Sequence, residues 1–163
     1  MNRPALLLID VQQGLDDPRY GQRNNPDAEK NMARLLQSWR ERKLPVIHVQ
    51  HLSTNPQSPL HPDAVGCAFK PETAPKPGEI VFTKDVNNAF IGTGLDGHLR
   101  EHGISSLVIV GLTTDHCVSS TVRSAGDLGF EVRLVSDGTA THERAGVDGS
   151  RLSAEAIHQA HLA

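Results

Sequence analysis

Short, nearly continuous apolar runs alternate along the chain with stretches whose apolar positions recur at helical spacing. Ala5–Ile9 reads Ala-Leu-Leu-Leu-Ile, and residues 45–49 and 107–110 are similar runs without strict alternation. Such runs are expected for strands covered on both faces of a sheet. Residues 80–83 and 131–135 are weaker strand candidates. Met32, Leu35, Leu36 and Trp39 fall at i, i+3, i+4 and i+7, one face of a helix opened by Asn25-Pro26. Further helices are predicted over 95–102, stopped by Gly103, over 115–128, ended by Gly129, and over 150–162. Strands alternating with helices predict parallel βαβ units and a doubly wound α/β sheet, in a single domain spanning residues 1–163. Residues 52–79 interrupt the pattern with six prolines. A loop of this length reads as a lid, a binding loop or an oligomer contact, or equally as a surface excursion.

Composition narrows the partners. Charges of both signs are mixed, the net charge is −3 and aromatics make up 4%. That balance argues against a nucleic-acid surface, a base-stacking platform or a polybasic membrane anchor. The longest apolar run, Ala5–Ile9, is far too short to span a bilayer, and Asp10 ends it too early for a signal peptide. Two cysteines, Cys67 and Cys117, do not make a disulfide framework. The expectation is a cytoplasmic protein acting on a small molecule, with no membrane or nucleic-acid partner.

Candidate chemistry follows from the strand ends, because an open parallel sheet binds ligands outside the carboxyl ends of its strands. The first run leads into Asp10, residues 80–83 deliver Lys84, and 107–110 lead through Gly111-Leu-Thr-Thr-Asp-His to Cys117. A carboxylate, an ammonium and a thiol thus reach one edge from three parts of the chain. Cys117 lies near a helix start, where unpaired N–H groups and the Lys84 charge favour a thiolate nucleophile. Asp10 suits the role of proton acceptor and later donor, and Lys84 would hold it ionised. Backbone N–H groups along 113–117 offer an oxyanion hole. Each residue also has a plainer role: a buried small cysteine, a helix-capping aspartate, a solvated lysine. Arg19, Tyr20 and Asn24, in the loop after the first strand, are candidates for lining a pocket or for an ordinary surface turn.

Leu-Leu-Leu-Ile-Asp10-Val-Gln12, Phe-Thr-Lys84 and Val-Gly111-Leu-Thr-Thr-Asp-His-Cys117-Val resemble, in order and spacing, the isochorismatase-like hydrolases, which include nicotinamidases, carbamoylsarcosine amidohydrolases and isochorismatases. The resemblance covers nearly the whole chain. It implies a three-layer α/β/α fold around a six-stranded, mostly parallel sheet, with Asp10, Lys84 and Cys117 as the catalytic triad. It further implies a cis peptide at Leu112–Thr113, with the Thr113 and Cys117 amides as the oxyanion hole. Phe90 matches an aromatic or apolar pocket position in relatives, and equally suits a core contact; Gln12 and Tyr20 join it as pocket candidates. Subunits of this group commonly associate, so a homo-oligomer is expected. Relatives continue into a closing strand after the last helix, which a domain of 1–163 is expected to lack. Nicotinamidases hold a metal through an Asp-x-His pair, but the corresponding stretch here reads His48-Val-Gln50-His51. A metal site would have to be assembled from His51, His61 and Asp63, and none is expected; nor is any cofactor. The resemblance points to hydrolysis of a small amide through a covalent Cys117 intermediate. Enol-ether cleavage of the isochorismatase type is the enzymatic alternative.

Two rival classes share these residues. His116-Cys117-x5-Arg123 formally matches the tyrosine phosphatase signature, but a helix would turn Arg123 about 240° away from Cys117. A redox-sensing thiol is the non-enzymatic alternative, which leaves the convergence of Asp10 and Lys84 unexplained. His98 and His102 stand four apart without a third donor, and Cys67 is expected to be incidental.

Overall fold

The structure, a computed structural model, describes residues 3–163. In chain order the main elements are β1 (Ala5–Ile9), α1 (Ala28–Glu41), β2 (Val46–His51), β3 (Ile80–Lys84), α2 (Leu95–Glu101), β4 (Ser106–Leu112), α3 (Ser119–Asp127), β5 (Glu131–Ala140), β6 (Arg144–Ala145), β7 (Arg151–Leu152) and α4 (Ala154–Leu162). The first five strands form one parallel sheet in the order β3-β2-β1-β4-β5, and β6 and β7 form a small antiparallel pair. This is the doubly wound α/β arrangement that the alternating pattern predicts. The described residues supply five strands to the main sheet, where the resemblance implies six.

Continuous apolar runs make sense once the layers are seen. Leu7, Ile9, Ile47, Val49, Leu107 and Ile109 face one way, against Leu95 and Leu99 of α2 and Ala125 of α3. Leu6, Leu8, Val108 and Val110 face the other way, against Met32 and Leu36 of α1. Both faces are therefore apolar, and each such fully buried side chain stabilises the fold by about 2 kcal/mol.

Several boundaries differ from the pattern-based expectation. β5 continues to Ala140 because its ladder shifts register between Ile109 and Gly111 of β4, which admits the polar stretch Ser136-Asp137-Gly138. α4 starts at Ala154, since Ser153 caps it by accepting the Ala156 N–H, and Arg151–Leu152 pair instead with Arg144–Ala145. The predicted helix over 115–128 divides into a π-helical turn, Thr114–Val118, and α3. The Val118 N–H bonds back to the Thr113 carbonyl, five residues earlier. The Pro-rich segment is held down, with 3-10 turns at Val65–Cys67 and Pro71–Thr73 and a bridge from Phe69 to Gln12. At its base Gly66 meets Gly14 so closely that a Cβ on Gly66 would lie 2.6 Å from the Gly14 Cα.

Register sets up the site. Ile9 pairs with Val49 on one side and Gly111 on the other, and His51 pairs with Lys84. Gly111 has φ +136°, and any Cβ there would fall 2.2 Å from the Ile9 carbonyl oxygen, so only glycine lets β1 and β4 approach this closely. Asp10 and Cys117 therefore leave neighbouring strands at the same edge.

Candidate active site

Asp10 ends β1 with φ 51°, a left-handed turn that aspartate tolerates better than most residues. Its N–H still bonds the Val49 carbonyl, 3.0 Å away, while the turn takes its side chain out of the strand's alternation. Lys84 closes β3, and Cys117 sits in the π-helical turn after β4. All three are buried, with exposures of 1%, 4% and 9%. Lys84 Nζ donates to Asp10 Oδ2 at 2.6 Å and to Cys117 Sγ at 3.4 Å, and lies 3.1 Å from His51 Nδ1. The thiol has a further acceptor in Asn87 Oδ1 at 3.6 Å. Asp10 Oδ1 is buried without a partner among the described residues. The Leu112–Thr113 peptide between the strand and the turn is cis.

Burial dominates the electrostatics. It raises the Asp10 carboxyl above its ordinary value, while the Lys84 charge and a hydrogen bond with the thiol work against it. Burial also pushes the Cys117 thiol well up, assisted by the Asp10 charge, and the Lys84 ammonium offsets this only in part. Burial of the sulfur thus works against the helix-start thiolate expected from sequence, and the nearby positive charge offsets it only in part. A neutral thiol beside a carboxylate of raised basicity suits proton transfer during attack rather than before it.

These groups open onto a cavity of about 220 Å³, walled by Asp10, Leu15, Tyr20, His51, Ser58, Leu60, Asn87, Leu112, Thr113, His116, Cys117, His142 and Arg144. That is small beside the roughly 300–1,000 Å³ of drug-sized ligand sites. A larger, open groove elsewhere, of about 1130 Å³, is lined by Arg23, Glu29 and Lys70, whose charges are paired with one another. Its lining contains no cysteine, serine or threonine.

The pocket candidates separate. Tyr20 lines the cavity, whereas Gln12 and Phe90 are not among its walls. Gln12 is fully buried; its amide donates to the His51 and Cys67 carbonyls and accepts the His51 N–H, pinning β2 and the Pro-rich loop to the end of β1. Phe90 stacks on Phe130 with ring centroids 5.9 Å apart, so its role is packing. Arg19 ties down Gln57, and Asn24 bonds Glu155 and Thr141. Arg123, on α3, bonds Ser119 and is not among the cavity's lining residues, which removes the phosphatase geometry.

The donors His51, His61 and Asp63 do not assemble. His61 and Asp63 meet each other on the loop, 3.7 Å apart, and His48 is committed to Glu79. Among the described residues the group of donors close enough to share an ion is Asp10, His51 and Cys117, all within 4.8 Å. Lys84 Nζ already lies at hydrogen-bond distance from all three, so an ammonium fills the cation position. No helix among these residues is long and apolar enough to cross a membrane.

Sequence reasoning did not single out Asn87, His142 or Arg144 as wall residues, nor the support behind the turn. His158 of α4 lies 2.8 Å from Thr114 Oγ1, Thr114 contacts Thr139 Oγ1 at 3.2 Å, and Thr139 donates to the Gly111 carbonyl. This buried chain braces the segment from Gly111 to Cys117. Its polar members are scattered across the π-helical turn, β5 and α4, so no local pattern announces them.

Comparison with known proteins gives a consistent result. An isochorismatase domain model matches residues 4–159. The isochorismatase family protein YrdC of Bacillus subtilis is 43% identical over 161 residues, 99% of this chain and 86% of its own length. A crystal structure of an isochorismatase-family protein from Chromobacterium violaceum is 49% identical, covers 99% of this chain and 84% of that one, and superposes with a TM-score of 0.96. Over a shorter stretch of 75 residues, 46% of this chain and 29% of the relative, the chain is 41% identical to the ureidoacrylate amidohydrolase RutB of Variovorax paradoxus.

Proposed function

The chain belongs to the isochorismatase family, and on that premise we propose that it is a cysteine hydrolase cleaving a small amide through a covalent Cys117 intermediate. The observation that carries this reading is the single ammonium of Lys84 bonded to both the Asp10 carboxylate and the Cys117 sulfur at the wall of a small cavity. Asp10 takes the thiol proton as sulfur attacks the carbonyl carbon, and returns it to the departing amine. The resulting acyl-thioester is cleaved by water, with Asp10 again the base and Cys117 the leaving group. Thr113 and Cys117 supply backbone N–H groups for the oxyanion, supported by their position on the turn that lines the cavity. Lys84 balances the Asp10 charge throughout. Amide rather than enol-ether chemistry is favoured by the amidohydrolase among the relatives and by a base set beside a nucleophile. The redox reading needs an exposed thiol of low pKa, and Cys117 is buried with its pKa raised.

The test is turnover of a panel of small amides and carbamates, with intact mass recorded during the reaction. Cys117→Ala is expected to lose roughly 10⁶-fold in kcat and all covalent adduct. Asp10→Asn is expected to lose roughly 10²–10⁴-fold. Turnover that survives in Cys117→Ala sinks the mechanism.

A further inference from the structure

The proposed chemistry gives no role to His51, although its ring lies against the Lys84 ammonium. His51 ends β2 and pairs in register with Lys84, the last residue of β3, so both side chains leave the same face of the sheet. One side chain holds its backbone: Gln12 accepts the His51 N–H through Oε1 and donates to the His51 carbonyl through Nε2, each at 2.9 Å. The ring is half-buried in the cavity wall, with Nδ1 3.1 Å from Lys84 Nζ. An ammonium has no lone pair to offer, so Nδ1 is the acceptor and the proton of the neutral ring belongs on Nε2. Burial and the Lys84 charge hold the His51 pKa below its ordinary value of 6.5, against Asp10, Asp85 and the Val86 backbone, which raise it. Cys117 Sγ lies within 4.8 Å, and Tyr20, His116, His142 and Arg144 are the other ionisable walls of the cavity.

We propose that His51 is a positioning residue: its neutral ring, as an acceptor, fixes the Lys84 ammonium beside Asp10 and Cys117, and protonation of the ring disarms the centre. With Nδ1 bare, each of the three N–H groups of Lys84 has its own acceptor, which gives the ammonium one orientation. A proton on Nδ1 replaces that bond by two like charges 3.1 Å apart, and Lys84 loses its place beside the thiol. The Gln12 amide serves the same end, since a ring that must meet an ammonium at hydrogen-bond distance needs its backbone held. This role rests on Cys117 being the nucleophile of the same cavity, and its test separates the two.

Methyl methanethiosulfonate is a small, neutral probe of the thiol. A sulfur–sulfur bond forms to Cys117, methanesulfinate leaves with the electron pair of the broken bond, and the thiol proton passes to Asp10. In a Cys67→Ser parent Cys117 is the single thiol, and intact mass follows the rate. His51→Asn places an amide oxygen near the position of Nδ1 and does not titrate, whereas His51→Leu offers no acceptor. At about pH 7.5, His51→Leu is expected to slow the reaction about tenfold or more, the worth of one charge-assisted hydrogen bond, and His51→Asn to stay within about threefold of the parent. The parent-to-His51→Asn rate ratio, which needs no other variant to fold, cancels the titration of Asp10 and of the thiol. It is expected to fall below pH 6.5, by up to about tenfold per pH unit. A His51→Leu rate equal to the parent's, a His51→Asn rate no better than that of His51→Leu, or a ratio flat down to about pH 4.5 overturns the role. If the probe leaves Cys117 of the parent unmodified, the nucleophile reading falls, and nitrogen-15 spectra of the imidazoles decide His51 alone, its signals assigned by their loss in His51→Asn. Nε2–H with a bare, hydrogen-bonded Nδ1 at neutral pH supports the role; an Nδ1–H tautomer or a doubly protonated ring overturns it.

Discussion

Lys84 spends its hydrogen-bonding capacity inside the molecule: its ammonium has three N–H groups and meets three acceptors, on Asp10, His51 and Cys117. Lys84→Met removes the counter-charge that is bonded, alone among the described residues, to a carboxylate that is 1% exposed. The expected result is a loss of roughly 3–5 kcal/mol of stability, the usual cost of breaking a buried pair on one side. Because burial already raises Asp10 above its ordinary value of 3.8, and a base must be ionised to act, kcat/KM rises with pH through that elevated pKa. In Lys84→Met the midpoint moves higher still. Denaturant titration and a pH–rate profile check both; an unchanged midpoint would show that the ammonium does not govern Asp10. The placement of Asp10, Lys84 and Cys117 was legible because each follows an apolar run at a strand's carboxyl end. Asn87 lies three residues past Lys84 on the β3–α2 connection, and His142 and Arg144 lie beyond the ladder shift of β5, Arg144 in the β6–β7 pair, so none of them directly ends an apolar run. Gln12 and Phe90 illustrate the opposite case, where nearness in sequence to a reactive residue does not put a side chain in the cavity.

At the level of elements, the Pro-rich segment serves as a wall more than as a free excursion, since it supplies Ser58 and Leu60 to the cavity. What presses it into place is the Gly14–Gly66 contact and the Gln12 amide. A methyl group on Gly66 would lie 2.6 Å from both the Gly14 Cα and the Pro59 carbonyl oxygen. Gly66→Ala is therefore expected to cost roughly 1–3 kcal/mol by overpacking and to raise KM more than it lowers kcat, because the wall shifts while Cys117, Asp10 and Lys84 stay. Steady-state kinetics and thermal unfolding read the two effects; an unchanged KM with full stability would mean that the segment is not seated there. The division of the third predicted helix is a second element-scale outcome. Periodicity located a helix over 115–128 but does not distinguish an i→i−5 turn from an i→i−4 one, and the difference lies in how Thr113 receives the Val118 N–H.

The whole molecule is tied together by two ionic knots around α1. Burial alone would raise Glu29, but hydrogen bonds from Arg23 and Lys70 outweigh it and hold its carboxyl down at about 2. Glu79, bonded by Arg40, the Lys76 N–H and His48, is likewise held at about 2 against its own burial. Both folded values lie below the ordinary 4.5, so their stabilisation is present above pH 4.5 and is lost as pH falls toward 2. Thermal unfolding should show the melting temperature dropping across that window, with a shallower drop in a Glu29→Gln, Glu79→Gln double variant. An equal drop would place the acid sensitivity elsewhere. Fold class was readable from alternation, but strand order was not, because each pairing joins distant segments whose apolar runs look alike. That order has a further consequence. Val65, 87% exposed at the loop's surface, separates a piece carrying β1 and β2 from a piece carrying β3, β4 and β5, and the shorter piece lies between strands of the longer in the sheet. A protease nick there would leave two interlocked polypeptides, one contributing Asp10 and the other Lys84 and Cys117. They should co-elute under native conditions and separate only in denaturant, so that the molecule divides naturally into complementing halves, and co-expressed fragments would report each other's presence by restored thiol reactivity.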